Sequence, residues 1–134
     1  MKDKFFFDTN TLIYLLSDEI NKHEIAIGLY KSAKDKTIST QVLNEFVNVC
    51  FKKKLIKSNI SEYIKILSLN FDVSLISLST IQKAIRIKEK YAYSYYDSAI
   101  IAAALQNNCN ILYTEDMQHE QIIEDCLTII NPFK

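Results

Sequence analysis

Short unbroken apolar runs alternate along the chain with longer stretches in which apolar residues recur every three or four positions. The short runs predict strands at residues 4–7 (KFFF), 37–39 (TIS), 73–77 (VSLIS), 110–114 (NILYT) and 127–130 (LTII), with Pro132 closing the last. The periodic stretches predict helices at 12–16, 19–33, 41–53, 58–70 and 79–92. Ile20, Ile27 and Tyr30 share a side of the second, and Ile60, Ile64 and Leu67 a face of the fourth. In the fifth, Ile81, Ala84, Ile85 and Lys88 fall at helical offsets. Ser39 or Thr40 is placed to cap the helix at 41–53 and Ser58 the one at 58–70. A further short helix is expected at 118–123.

Strands without polar alternation, separated by helices, imply a parallel sheet covered on both faces. The expected architecture is a three-layer α/β/α sandwich around a mostly parallel sheet of four to five strands, with residues 1–134 as one domain. The stretch YSYYDSAIIAAAL departs from the other helices. Its seven apolar residues from Ala99 to Leu105 leave no polar face, so the helix at 97–107 is buried. Asp97 stands at its head. A carboxylate is stabilised at a helix N-terminus, so Asp97 reads either as a cap or as the opening of a pocket.

Composition narrows the chemistry. The apolar fraction of 49% suits an ordinary globular protein. Net charge is zero, with 16 basic and 16 acidic residues, unlike a strongly basic nucleic-acid binder. The single glycine, Gly28, lies inside a helical pattern. Glycine-rich phosphate loops and the EF-hand loop are thereby excluded. Cys50, Cys109 and Cys126 are scattered and odd in number, which suggests buried thiols in a reducing compartment. The N-terminal apolar run is broken by Asp8, Thr9 and Asn10, and no apolar span is long enough to cross a bilayer. A cytoplasmic location is expected.

Parallel sheets gather ligands at the carboxyl ends of their strands. Asp8 follows the first strand and Asp116 the strand at 110–114, so both leave the same sheet edge. Glu45 falls at the border of the apolar face formed by Val42, Leu43, Phe46, Val47, Val49 and Cys50, opposite Asn44 and Asn48. With Asp97 these make four acids. Gathered carboxylates repel and resist ionisation. A divalent cation reverses that penalty, and an all-oxygen donor set points to Mg²⁺ or Mn²⁺. Metal-assisted phosphodiester hydrolysis needs no protein nucleophile.

In order, the segments DTN, STQVLNEF, YYDSAIIAAAL, LYTED and IINPF resemble the PIN domain, in particular small bacterial members of the VapC toxin type. The resemblance implies a Mg²⁺- or Mn²⁺-dependent ribonuclease with Asp8, Glu45, Asp97 and Asp116 as catalytic and metal-binding acids. Asn10 and Thr114 match supporting polar positions. It also implies an RNA substrate, a small antitoxin partner and a homodimer.

Other features have simpler readings. Lys52, Lys53 and Lys54 complement a helix C-terminus, with RNA-backbone contact as the sharper alternative. Tyr91, Tyr93, Tyr95 and Tyr96 either pack at the core edge or stack on unpaired bases. His23 and His119 read as solvated surface, and Glu115 is an extra acid beside Asp116. Two rival functions are an aspartyl-phosphate phosphatase and a non-catalytic RNA-binding or regulatory domain. A phosphatase of the haloacid dehalogenase type would carry an aspartate at position 10, where this chain has Asn10.

Overall fold

A computed structural model describes residues 2–55 and 59–134. Strand β1 (Phe5–Phe7) leads through Asp8 into α1 (Thr9–Ile13), which runs on as a tighter 3₁₀ turn over Tyr14–Leu16. Helix α2 (Ile20–Ser32), strand β2 (Lys36–Ser39) and helices α3 (Thr40–Lys53) and α4 (Ile60–Asn70) follow. Then come β3 (Asp72–Ser74), α5 (Leu78–Tyr91), α6 (Tyr95–Gln106), β4 (Ile111–Tyr113), β5 (Ile122–Ile123) and β6 (Leu127–Ile130). The sheet order is β3-β2-β1-β4-β6-β5. Every pairing is parallel except that of β5 with β6.

The three-layer expectation is met, with a sheet of six strands rather than four to five. Successive strand residues point to opposite faces, and Phe6 and Phe7 are both buried. The sheet is therefore covered on both sides at its centre. Helices α5 and α6 pack against each other, and α6 also touches β2. Residues 98–104 of α6 are all buried. Ile101 is completely enclosed. Ile101→Ala is expected to lower stability by about 2–5 kcal/mol through lost burial and the cavity left behind. Urea denaturation checks this, and an unchanged midpoint would contradict the packing.

Several elements differ from expectation for identifiable reasons. Strand β3 ends at Ser74: Leu75 is exposed, and Ser77 is withdrawn to cap α5 in a reciprocal bond with Thr80. The buried face of α5 runs through Thr80, Ala84 and Ile87, whereas Ile81 and Ile85 face outward. Ile20 is likewise exposed, and Ala26 is the residue of α2 that enters the core. The expected helix at 118–123 is absent. Glu120, Glu124 and Asp125 take positive φ, and Ile122 and Ile123 pair antiparallel with β6 instead. Left-handed backbone disfavours non-glycine residues and breaks a helix. The Ser58 cap lies outside the described residues, and Asn59 caps α4 through Glu62 N–H. Cys50 and Cys109 are buried as expected, but Cys126 is exposed.

Candidate active site

The parallel register of β1 with β4 pairs Phe7 with Tyr113, so both strands release their chains side by side. The backbone N–H of Asp8 bonds the Tyr113 carbonyl at 3.0 Å, which brings Thr114 beside the aspartate. Asp8 has extended backbone and caps α1. One carboxylate oxygen accepts from Thr9 N–H at 2.7 Å, and the other from the Thr114 hydroxyl at 2.8 Å. Thr9 and Thr114 are buried with it.

Strand β2 ends in Ser39, whose hydroxyl caps α3 by accepting from Val42 N–H. That cap sets the start of α3 at the same edge and presents Glu45, half-buried, towards Asp8. The Thr9 hydroxyl donates to Glu45 Oε1 at 3.0 Å. The Asn10 amide donates to Asp116 Oδ2 at 3.0 Å and to the Thr114 hydroxyl at 3.3 Å, while its own oxygen accepts from Glu115 N–H. A continuous polar network thus joins Glu45, Thr9, Asp8, Thr114, Asn10 and Asp116. Thr9 was not singled out in the sequence. The signal is that it follows a capping aspartate in DTN and so starts a helix facing the next strand end.

Asp97 is not the first residue of its helix. Ser94 caps α6 by accepting from Asp97 N–H at 3.2 Å, and Asp97 sits in the first turn. Ser94 is thus the cap, and Asp97 adds a first-turn carboxylate that also meets Ser94 and favours the positive end of the helix. Its carboxyl, like that of Glu45, is half-buried.

Electrostatics tie the four acids together. Burial raises the pKa of Asp8 from its ordinary 3.8 to about 7, against the lowering effect of the Thr114 and Thr9 hydrogen bonds; the charges of Glu45 and Asp116 raise it further. Burial also raises Glu45. Thr9 and Gln41 oppose that shift, and Asp97 and Asp116 add to it. Asp97 is raised by burial and by Asp116, with Ser94 opposing. Asp8 thus shares the field of Glu45 and Asp116, and Asp97 acts on Glu45 and is acted on by Asp116. Among the described residues, no ion pair neutralises any of the four.

This donor set fits a hard divalent cation: all ligands are oxygens, two or more are forced towards protonation, and no protein cation relieves them. Among the described residues, no three of these side chains stand close enough to enclose one ion. The arrangement is an open one, suited to a cation that keeps waters and takes phosphate oxygens as further ligands.

The remaining candidates separate clearly. Lys53 lines a recess with Asn10, Glu45, Val49 and Asp116, at the far end of the Glu45–Val49–Lys53 stripe of α3. Lys54 adopts left-handed backbone at the helix end and lines a different recess, and Lys52 lines neither. Glu115 lines the same recess as Glu45 and Asp116, and there accepts from Tyr14 and from Lys22 at 3.0 Å. Lys22 also lies over the Tyr14 ring. Tyr14 and Lys22 stand on adjacent elements, whereas Glu115 reaches them from the loop after β4, and no local pattern announces that meeting. His119 is structural: Nδ1 accepts from Asn131 N–H, which leaves Nε2–H to donate to Glu120. His23 donates to the Tyr14 carbonyl, at the start of the 3₁₀ turn.

Of the four tyrosines, Tyr91 bonds Glu124 and Tyr93 bonds Gln121 and Gln118, which fastens the loop before β6. Tyr95 packs on Ala84, Ala99 and Ala102. Tyr96 alone is largely exposed, at 66%.

The sequence matches the PIN domain family profile over residues 5–124. No curated protein sequence matches the chain. A toxin–antitoxin complex from Klebsiella pneumoniae is similar in structure, with a TM-score of 0.72 and 19% identity over 96% of this chain and 98% of that one. VapC20 of Mycobacterium tuberculosis, a toxin that cleaves the sarcin–ricin loop, gives 0.71 and 18% over 84% and 92%. VapBC2 of Rickettsia felis, bound to a fragment of its promoter DNA, gives 0.67 and 19% over 93% and 96%. At these identities the likeness is one of fold. None of the helices is long and apolar enough to cross a membrane among the described residues.

Proposed function

The chain belongs to the PIN domain family, and from that premise we propose that residues 1–134 form one nuclease domain, a metal-dependent endoribonuclease that is the toxin of a type II toxin–antitoxin pair. The observation that carries this reading is the meeting of Asp8, Glu45, Asp97 and Asp116 in one field at the carboxyl edge of the sheet, with no protein cation among the described residues to balance them. Similarity to toxins of known complexes supports the biological role. A small antitoxin, a homodimer and a cytoplasmic setting belong to the same proposal.

Mg²⁺ or Mn²⁺, when bound, would supply Lewis acidity towards water and phosphate oxygens. Asp8 and Asp97 would hold it. Glu45 and Asp116 would ligate directly, hold a second ion, or orient the attacking water. Water adds to phosphorus, and the ribose oxygen leaves with a proton, so no covalent enzyme intermediate forms. Thr9 and Thr114 keep the Glu45 and Asp8 oxygens aimed, and Asn10 does so for Asp116. Lys53, at the end of the acid recess, would hold a neighbouring phosphate of the RNA.

The test is cleavage of a panel of RNAs with Mg²⁺, with Mn²⁺ and with EDTA, using Asp97→Asn as control. Cleavage that needs the metal and falls about 100-fold or more in Asp97→Asn is expected. Equal cleavage by both proteins, or by the chelated enzyme, would reject the assignment. RNA binding of equal strength with and without metal, and no cleavage, would favour the non-catalytic binding domain.

A further inference from the structure

Glu45 forms a wall between two recesses. On one side lies the recess that holds Asp116 and ends at Lys53. On the other is a second recess lined by Gln41, Asn44, Glu45, Asn48 and Tyr96. Their chemistry differs. The second contains three amides and an aromatic ring, and Glu45 is its single charged group among the described residues.

Its geometry comes from two helix starts. Gln41, Asn44, Glu45 and Asn48 stand on neighbouring positions of α3, and Tyr96 on the first turn of α6. The Gln41 amide donates to the Tyr96 carbonyl at 3.1 Å and locks the two helices together there. The Tyr95 ring lies edge-on to that of Tyr96, with centroids 5.4 Å apart. Tyr96 is therefore held in place at its backbone and by one ring edge, while most of its side chain meets solvent. Asn44 and Asn48 are exposed, and their side-chain amides make no hydrogen bond among the described residues. Nothing in packing calls for this arrangement, since the neighbouring tyrosines are each engaged with protein partners.

We propose that this recess takes an unpaired nucleobase of the RNA next to the bond being cut. Tyr96 stacks on the base, and Asn44 and Asn48 meet its polar edge. The proposal rests on the nuclease reading above and names what selects the substrate. A phosphate is a poor occupant, because the recess has no cation and Glu45 repels it. A purely apolar ligand would strand the two amides. An unpaired base matches both surfaces: its face stacks on an aromatic ring and its edge exchanges hydrogen bonds with amides. A base in a duplex exposes neither fully, so the site favours single-stranded or looped RNA. The backbone would stay on the Asp116 side of Glu45, with the scissile phosphate at the cation-bearing acids, the next phosphate towards Lys53 and only the base reaching across into the second recess.

The experiment uses Asp8→Asn as a cleavage-silent parent. Its binding to short labelled single-stranded RNAs is measured by fluorescence anisotropy, with one abasic site placed at each position in turn. Tyr96→Ala in that parent is expected to weaken intact RNA about 10-fold, and Tyr96→Phe to restore most of the loss. One abasic position should cost the parent a similar factor and cost Tyr96→Ala nothing further. In the cleaving protein, Asn44→Ala and Asn48→Ala should redistribute cuts among sequences without abolishing them. Equal binding of intact RNA by parent and Tyr96→Ala, or losses that simply add on abasic RNA, would overturn the base recess while leaving the nuclease assignment standing. Absence of metal-dependent cleavage by the unmodified chain would overturn both.

Discussion

Asp8→Asn is expected to abolish RNA cleavage, by about 1000-fold or more, and yet to make the metal-free protein more stable at neutral pH. On the proposed nuclease reading the loss follows from removing a charge that would hold the cation at the centre of the acid network, where several kcal/mol of transition-state stabilisation are at stake and each factor of ten is about 1.4 kcal/mol. The gain follows from burial. With its pKa at about 7, the Asp8 carboxylate is costly to ionise where it sits. An asparagine is nearly isosteric, carries no charge and caps a helix as well as aspartate does. It does have one acceptor oxygen where Asp8 has two, and both are in use, by Thr9 N–H and by Thr114. The Thr114 hydroxyl already accepts from Asn10 and Asp116 N–H, so it cannot readily turn round to accept from the new amide. One hydrogen bond, worth about 1 kcal/mol, is therefore lost against a larger electrostatic relief. A net gain of about 1–3 kcal/mol is expected from these opposing effects. Cleavage assays and urea denaturation of the metal-free proteins check the two halves. A variant both inactive and destabilised by several kcal/mol would mean that Asp8 serves the fold.

The metal-free protein should lose stability as pH rises from about 4 to about 7, opposite to the usual behaviour of a salt-bridged carboxylate. Folded Asp8 holds its proton up to about 7, whereas the unfolded chain releases it near 3.8. Between those values the folded state carries more protons, so the slope of unfolding free energy with pH is negative. Asp8 alone contributes up to about 4 kcal/mol across the window. Glu45 and Asp97, also raised, act in the same direction. Glu124, lowered by Lys90 and Tyr91, acts in the other direction from an exposed position and counts for little. Mn²⁺ or Mg²⁺ should cancel the decline, because the cation favours the ionised acids. At a hundred times its dissociation constant it adds about 2.7 kcal/mol, or about 10 °C in Tm for a domain of this size. Thermal melts near pH 5 and pH 7.5, with Mn²⁺ and with EDTA, decide the matter. Equal Mn²⁺ shifts in the unmodified protein and in Asp8→Asn would place the cation elsewhere.

Much of this site was legible because parallel strands and a buried helix leave strong local marks. Phe5–Phe7 and Ile111–Tyr113 are apolar on both faces, so the acids just beyond them had to emerge at one edge. The run from Ala99 to Leu105 could lie only inside. What escaped was set by partners far away in sequence. Ile122 and Ile123 have no pattern of their own and become a strand only because β6 offers an open edge. Ile81 and Ile85 match helical periodicity as well as Ile87 does, and only the position of α6 against α5 selects the buried side. The turn of Glu115 towards Lys22 and Tyr14 depends on α2 crossing near the loop after β4, which no stretch of chain records. Lys53 differs from Lys52 in its angle around α3 and from Lys54 in lying inside the helix, and the choice among them needs the recess itself.

The place of β4 beside β1 has a consequence for synthesis. A ribosome delivers Asp8, Glu45 and Asp97 well before it delivers Thr114 and Asp116, and the β1 edge that β4 will occupy stays open until then. A partial product lacks the hydroxyl that steadies Asp8 and the last carboxylate of the set. Chains that stop short of this point thus carry an unfinished polar network, and the set of four acids closes only once β4 has docked beside β1 and the loop after it has been made.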